Sequence, residues 1–236
     1  MHPAILQMLA VQDLDKNIQT LQAELKPLPG QIAALHKDLE QRAGAIKKLA
    51  DQAAALAAKR RERELEMKTR EQQLAKFRNQ QAAVKTPKEF EAMNHEVEKA
   101  EADISALEEE ILKSMDEEDR LGVEVHKRQA DLKLHETKAA EQEQRIREIE
   151  GEKKQLLHGL SEDRIVAANR LDPDHRDTYE WLLKNHGPTA VTRISGDACG
   201  GCGGMLIADL AVKVRLGKDL IQCDHCTRFL YAPGKD

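Results

Sequence analysis

Apolar residues recur at alternating intervals of three and four along most of this chain. From Phe90 the register takes in Met93, Val97, Ala100, Ile104, Leu107 and Ile111 without a miss. It continues through Leu121, Val125, Leu132, Ala139, Ile146, Ile149, Leu156 and Leu160, so that fifteen of 21 core positions are apolar. The interruptions are Ser114, Glu118, Arg128, His135, Gln142 and Lys153. An earlier stretch keeps its own register through Ile32, Leu35, Leu39, Ile46, Leu49, Ala53, Leu56, Met67, Leu74, Phe77 and Val84, broken at Arg42, Arg60, Arg63, Arg70 and Gln81. A period near 3.5 sustained this long is the seam of a coiled coil. A third, shorter seam (Val11, Leu14, Ile18, Leu21, Leu25) marks an N-terminal helix.

Proline and glycine set the boundaries. Pro27, Pro29 and Gly30 interrupt the chain early, Pro87 separates the two long seams, and Pro173 precedes a short segment that Gly187-Pro188 stops. These signals predict helices over 3–26, 31–85, 87–158 and 174–186, together a helical region over 1–186. At the break, Thr86 can cap, Pro87 suits the first helical position and Glu89 can close a capping box. A tight break between long seams predicts an antiparallel hairpin. At 1.5 Å per residue, about 53 residues give an arm on the order of 80 Å. The end of the second long helix should return beside the N-terminal helix, with Tyr179 and Trp181 packing that junction.

Charge supports pairing within the chain. Residues 31–86 carry 13 basic and 7 acidic side chains, and residues 88–158 carry 12 basic and 21 acidic. Helices of opposite sign attract each other, and this disfavours parallel pairing with their own copies. Composition agrees: Ala, Glu, Leu, Lys and Arg make up about half of the 236 residues, while only three Phe, two Tyr and one Trp are present. The formal charge of −5 argues against an overall basic nucleic-acid binder. No apolar run approaches the roughly 20 residues that span a bilayer, and the N-terminus lacks the pattern of a secretory signal. The expected setting is the cytoplasm, with no membrane contact.

Eight of the thirteen glycines lie from Gly187 onward, and so do all four cysteines. Cys199-Gly200-Gly201-Cys202 and Cys223-Asp224-His225-Cys226 are two C-x-x-C pairs separated by twenty residues. In a reducing compartment this spacing points to a four-cysteine zinc ribbon over 187–236, holding one structural Zn²⁺. Iron in a rubredoxin-like site is the rival. Intervening strands would bring the two knuckles together, and β-like stretches stand at 190–194, 220–222 and 229–231. Gly203 suits the turn after the first pair, whereas Thr227 occupies the matching place after the second. His225 is surplus to a filled tetrahedron.

The fold class that follows is mostly α, a long antiparallel coiled-coil hairpin with a small C-terminal β zinc ribbon. No catalytic residue is assigned. The chain has no G-x-x-x-x-G-K-[ST], G-x-S-x-G or H-E-x-x-H motif, and four thiolates leave no open coordination position. A small-molecule substrate is not expected. Ribbon residues that could contact nucleic acid or a protein partner are Arg193, Lys213, Arg215 and Arg228, with Tyr231 available to stack. Six basic residues (Lys218 and Lys235 among them) against five acidic ones from Gly187 onward make a poor footprint for phosphate.

The Pro87-to-Phe90 turn, the paired C-x-x-C motifs and the Arg228-Phe229-Leu230-Tyr231 tail together resemble the bacterial C4-type zinc ribbon, coiled-coil hairpin family. The resemblance covers nearly the whole chain. It implies an elongated hairpin with the ribbon at its base. Members with an assigned role are adaptors linked to the nitrogen-type alternative sigma factor and to flagellar or type III secretion components. RNA binding has also been proposed for them. The resemblance therefore implies a non-enzymatic adaptor with a protein partner of transcription or secretion, and as the alternative a nucleic-acid-binding regulator. Thr227 and the additional glycines Gly203-Gly204 depart from the family's ribbon pattern.

Overall fold

The computed structural model describes residues 1–232, so Lys235 and the last four positions assigned to the ribbon lie outside it. The elements, in order, are α1 (Pro3–Leu25), α2 (Leu28–Ala83), α3 (Pro87–Ala168), α4 (Pro173–His186), β1 (Val191–Ser195), β2 (Ala198–Cys199), α5 (Ala208–Leu216), β3 (Ile221–Gln222) and β4 (Phe229–Tyr231). The chain forms two compact units: residues 33–142, and residues 1–32 with 143–236.

The first unit is the helical hairpin. α2 starts earlier than the proline pattern suggested, because Pro29 and Gly30 fall in its first turn, where no intrahelical N–H bond is required. α3 runs ten residues past the expected end at 158. At the break the Thr86 hydroxyl donates to the Glu89 carboxylate at 2.5 Å, and the Glu89 N–H donates to the Thr86 oxygen at 3.3 Å. Polar interruptions of the α2 seam meet polar residues of α3. Arg60 pairs with Glu118 at 2.8 Å, Arg63 with Glu110 at 3.2 Å and Arg70 with Asp103 at 3.9 Å, while Gln81 bonds Asn94. Arg78 meets Glu101 at 2.6 Å. Partner numbers sum to between 173 and 179 in all five pairs, which is the constant of a single antiparallel register. The apolar filling is thin: Ile46, Ala100, Leu107, Ile111 and Ala139 are the buried hydrophobic residues of this unit.

In the second unit α1, the end of α3 and α4 pack around Ile5, Met8, Val11, Ala168, Leu171, Tyr179 and Leu182, with Val191 and Phe229 of the sheet closing the core. The sheet order is β2-β1-β4-β3, with β1 parallel to β4 and the other pairs antiparallel. Two polar residues of α1 are buried here. Gln12 acts as a surrogate strand, its amide donating to the Val191 carbonyl at 3.0 Å and accepting from the Val191 N–H at 2.7 Å. Asp15 accepts from the Tyr179 hydroxyl at 2.7 Å and from Arg164 Nε at 2.9 Å. Arg164 also pairs with Glu180 at 2.6 Å. Burial, helped by the Asp15 carboxylate, keeps the Tyr179 phenol protonated far above its ordinary range. Burial opposes the Arg164 charge, and the bonds to Glu180 and Asp15 outweigh it.

Trp181 departs from its expected place. It is 53% exposed and stacks edge-on against His186, whereas Tyr179 is fully buried. The two residues are two positions apart, so on a helix they point roughly 160° apart and cannot both face the core. Among the described residues, no helix is long and apolar enough to cross a membrane.

Removing the acceptor of the buried cluster strands the Tyr179 hydroxyl and leaves Arg164 with Glu180 alone. Asp15→Ala should lower the unfolding free energy of this unit by about 3 kcal/mol, read by urea unfolding monitored at Trp181. A change below about 0.5 kcal/mol would show that the cluster contributes nothing net.

Candidate metal centre

Each cysteine pair sits on a knuckle, and the two knuckles are built alike. The Cys199 N–H donates to the Gly204 carbonyl and the Cys223 N–H to the Arg228 carbonyl, both at 2.9 Å. The Gly203 and Thr227 N–H groups return to the carbonyls of Cys199 and Cys223, both at 2.8 Å. That turn needs a left-handed residue at its end. Gly203 adopts φ 74° without strain, whereas Thr227 is held at φ 60°, which costs a β-branched residue roughly 1–2 kcal/mol. The second knuckle is therefore the strained copy.

Close approach explains the other glycines. A Cβ on Gly200 would collide with the Arg193 carbonyl oxygen, and one on Gly201 would lie 2.7 Å from Arg228 Cδ. A Cβ on Gly204 would lie 2.6 Å from the His225 ring, whose Nε2 is 3.2 Å from the Met205 carbonyl oxygen. His225 thus packs between the knuckles, outside the sulfur cluster.

The four sulfurs of Cys199, Cys202, Cys223 and Cys226 lie within 4.8 Å of one another. Across the knuckles, Cys199 Sγ is 3.7 Å from Cys226 Sγ and Cys202 Sγ is 3.8 Å from Cys223 Sγ. Separations of this order are those of four ligands around one tetrahedral ion with metal–sulfur bonds of about 2.3 Å. The cluster could hold a metal ion. Cys199 and Cys223 are buried, and burial pushes the Cys199 thiol up and the Cys223 thiol up to about 12. Burial also opposes ionisation of Cys226, but the Arg228 backbone N–H and guanidinium, with Cys202 and Cys223, bring it down to about 7. A metal ion would displace the remaining thiol protons.

The segment between the pairs ends in the expected strand, β3, but also holds a helix that was not expected. This is α5, which has no side-chain N-cap and ends at Gly217 in the left-handed conformation. Ala211 and Val214 anchor α5 against Ile194, Leu206 and Leu230 in the same apolar cluster as Cys199 and Cys223. The signal in the sequence was the i, i+3 spacing of Ala211 and Val214 followed by Gly217.

The five surface residues singled out in the ribbon do not form one patch. Lys213 pairs with Asp209 at 2.7 Å, and Arg215 pairs with Asp197 at 2.5 Å and donates to the Gly196 carbonyl at 3.0 Å. Arg228 lies over the first knuckle, its Nε donating to the Thr189 carbonyl at 2.8 Å. Arg193 and Tyr231 instead line a groove of 590 Å³ together with Lys16, Gln12, Asp13 and Gly201. Lys16, absent from the sequence-derived set, enters because Gln12 fastens α1 to β1.

Comparison with known proteins places this architecture among solved structures. CT398 from Chlamydia trachomatis superposes with a TM-score of 0.82 at 26% identity, covering 98% of each chain. HP0958 from Helicobacter pylori gives a TM-score of 0.62 at 22% identity, again over 98% of each chain. A protein from Mycobacterium smegmatis gives 0.57 at 20% identity, over 99% of this chain and 100% of the other. No protein-family model matches the chain, and no curated protein does. The fold is thus shared with bacterial proteins from three organisms.

Two outcomes test the centre. Cys226→Ser should abolish stoichiometric metal binding in elemental analysis while leaving the far-ultraviolet helical signal of the long helices intact. One metal ion per chain retained by that variant would rule out a four-sulfur site. Metal uptake must also expel at least the protons of Cys199 and Cys223. The dissociation constant should therefore weaken by about 100-fold or more from pH 7.5 to 6.5, measured against a chelator of known pH dependence. A pH-independent constant would contradict thiolate ligation.

Proposed function

We propose that this protein is a non-enzymatic, zinc-binding adaptor of the cytoplasm that presents its hairpin and ribbon to a protein partner, of transcription or of secretion and flagellar regulation. The observation that carries this reading is the four-sulfur cluster. All four donors come from two rigid knuckles, so a bound ion has a complete ligand set and a structural role. Zn²⁺ suits four thiolates without a change of oxidation state, and it would supply stability to a module with a small apolar core. The reducing cytoplasm keeps the thiols available. The hairpin adds exposed helical surface well beyond what its own seam needs.

A nucleic-acid-binding role through the ribbon is the second reading. The groove holding Lys16, Arg193 and Tyr231 favours it, since the Arg193 guanidinium has no hydrogen-bonding or ionic partner among the described residues. Against it, Lys213 and Arg215 are neutralised by Asp209 and Asp197.

Capture of tagged protein from its native host, with and without nuclease, separates the two. The adaptor reading expects a defined protein partner that persists after nuclease treatment. Recovery of RNA or DNA, with partners lost after nuclease and affinity falling steeply with salt, would overturn it in favour of the second.

A further inference from the structure

α3 carries an exposed apolar row that its seam does not use. Leu112 is 63% exposed, Met115 45% and Val123 71%. Leu112 and Val123 are eleven residues apart, which is three turns, so they share a face of the helix, and Met115 lies one turn from Leu112 on its flank. Single exposed apolar residues are ordinary on protein surfaces. Here the same face also carries Glu108, Asp116 and Asp119, at i−4, i+4 and i+7 from Leu112.

These three acids differ from their neighbours. Glu109 pairs with Lys113, Glu110 with Arg63, Glu117 with Arg120 and Glu118 with Arg60. Glu108, Asp116 and Asp119 are exposed, and their carboxylates have no hydrogen bond or ion pair among the described residues. From Glu108 to Val123 the row is roughly 22 Å long at 1.5 Å per residue. It therefore joins three exposed apolar side chains to three unneutralised carboxylates along one straight face.

We propose that this face of α3 docks a basic amphipathic helix of a protein partner. The occupant follows from the chemistry of the row. Apolar contacts spaced by whole turns match the apolar stripe of another helix, and carboxylates beside them match Lys and Arg on its borders. Nucleic acid and anionic membranes are repelled by the same carboxylates. A second copy is a poor occupant, because its oppositely charged helix, α2, offers Leu65 as the sole exposed large hydrophobic among its described residues. The proposal rests on the adaptor reading and names the surface and the partner class.

The test uses the full chain and a fluorescent 18-residue Leu/Lys amphipathic peptide, with a Leu/Glu peptide of the same pattern as control. Anisotropy should show salt-sensitive binding of the Leu/Lys peptide alone. Glu108→Lys with Asp116→Lys and Asp119→Lys should weaken it by about tenfold or more, and so should Leu112→Ser with Val123→Ser. Glu136→Lys with Glu141→Lys and Glu152→Lys changes the net charge equally and should leave binding within about twofold. All variants replace exposed positions, and an unchanged thermal melt checks that they fold. Equal weakening by both charge-reversed sets, or equal binding of the Leu/Glu peptide, overturns the proposal. In the native host, a partner captured equally by wild type and by the Glu108/Asp116/Asp119 variant overturns the docking face and leaves the adaptor reading standing. Failure of the wild type to capture any protein overturns both.

Discussion

Two helices in contact bury only a strip. This constraint governs the hairpin, since a seam broken by polar residues and poor in aromatic residues gains little from hydrophobic burial per turn. Apolar contacts of that kind are nearly indifferent to sliding by one heptad. Specificity of register falls to the polar positions, above all Arg60, which meets Glu118 in this alignment, while Arg63, Arg70 and Gln81 meet Glu110, Asp103 and Asn94. Each exposed pair contributes little to stability, yet a slip of one heptad would set Arg60 against Ile111 or Val125. The same thin seam leaves most of both helices facing outward, where surface chemistry is free to serve recognition.

The second unit follows a different logic. Its sheet is too small to stand on its own apolar core, so it leans on α1 and on the sulfur cluster. Gln12 supplies Val191 with both hydrogen bonds that a neighbouring strand would give. Arg228 spends its guanidinium on the Thr189 carbonyl and on the ionisation of Cys226. A residue that looks like free surface charge is thereby part of the scaffold. The left-handed Thr227 shows the opposite economy, a strained position held because both knuckles must end in the same turn.

What the sequence disclosed depended on range. The seams, the Thr86 cap and the paired C-x-x-C motifs were legible because each is a pattern of near neighbours. The helix α5 was not, because nine residues without an N-cap take their conformation from packing against the ribbon core. Gln12 and Asp15 read as solvent-facing positions of an amphipathic helix. Their burial depends on Val191, Arg164 and Tyr179, more than 140 residues away. The candidate ribbon cations had the same difficulty, since sequence records the charge of Lys213 and Arg215 and leaves out the carboxylates that neutralise them.

The second unit is assembled from the two ends of the chain, with the hairpin's residues lying between them in sequence. During synthesis α1 is made first, yet the tyrosine that closes on Asp15 follows 164 residues later. At translation rates of roughly 5–20 residues per second that interval is on the order of 10–30 s. Throughout it Ile5, Met8 and Val11 lack their native cover, while the hairpin has every contact it needs once α3 is out. Maturation thus departs from the order of synthesis: the middle of the polypeptide folds early, and α1 waits for β4.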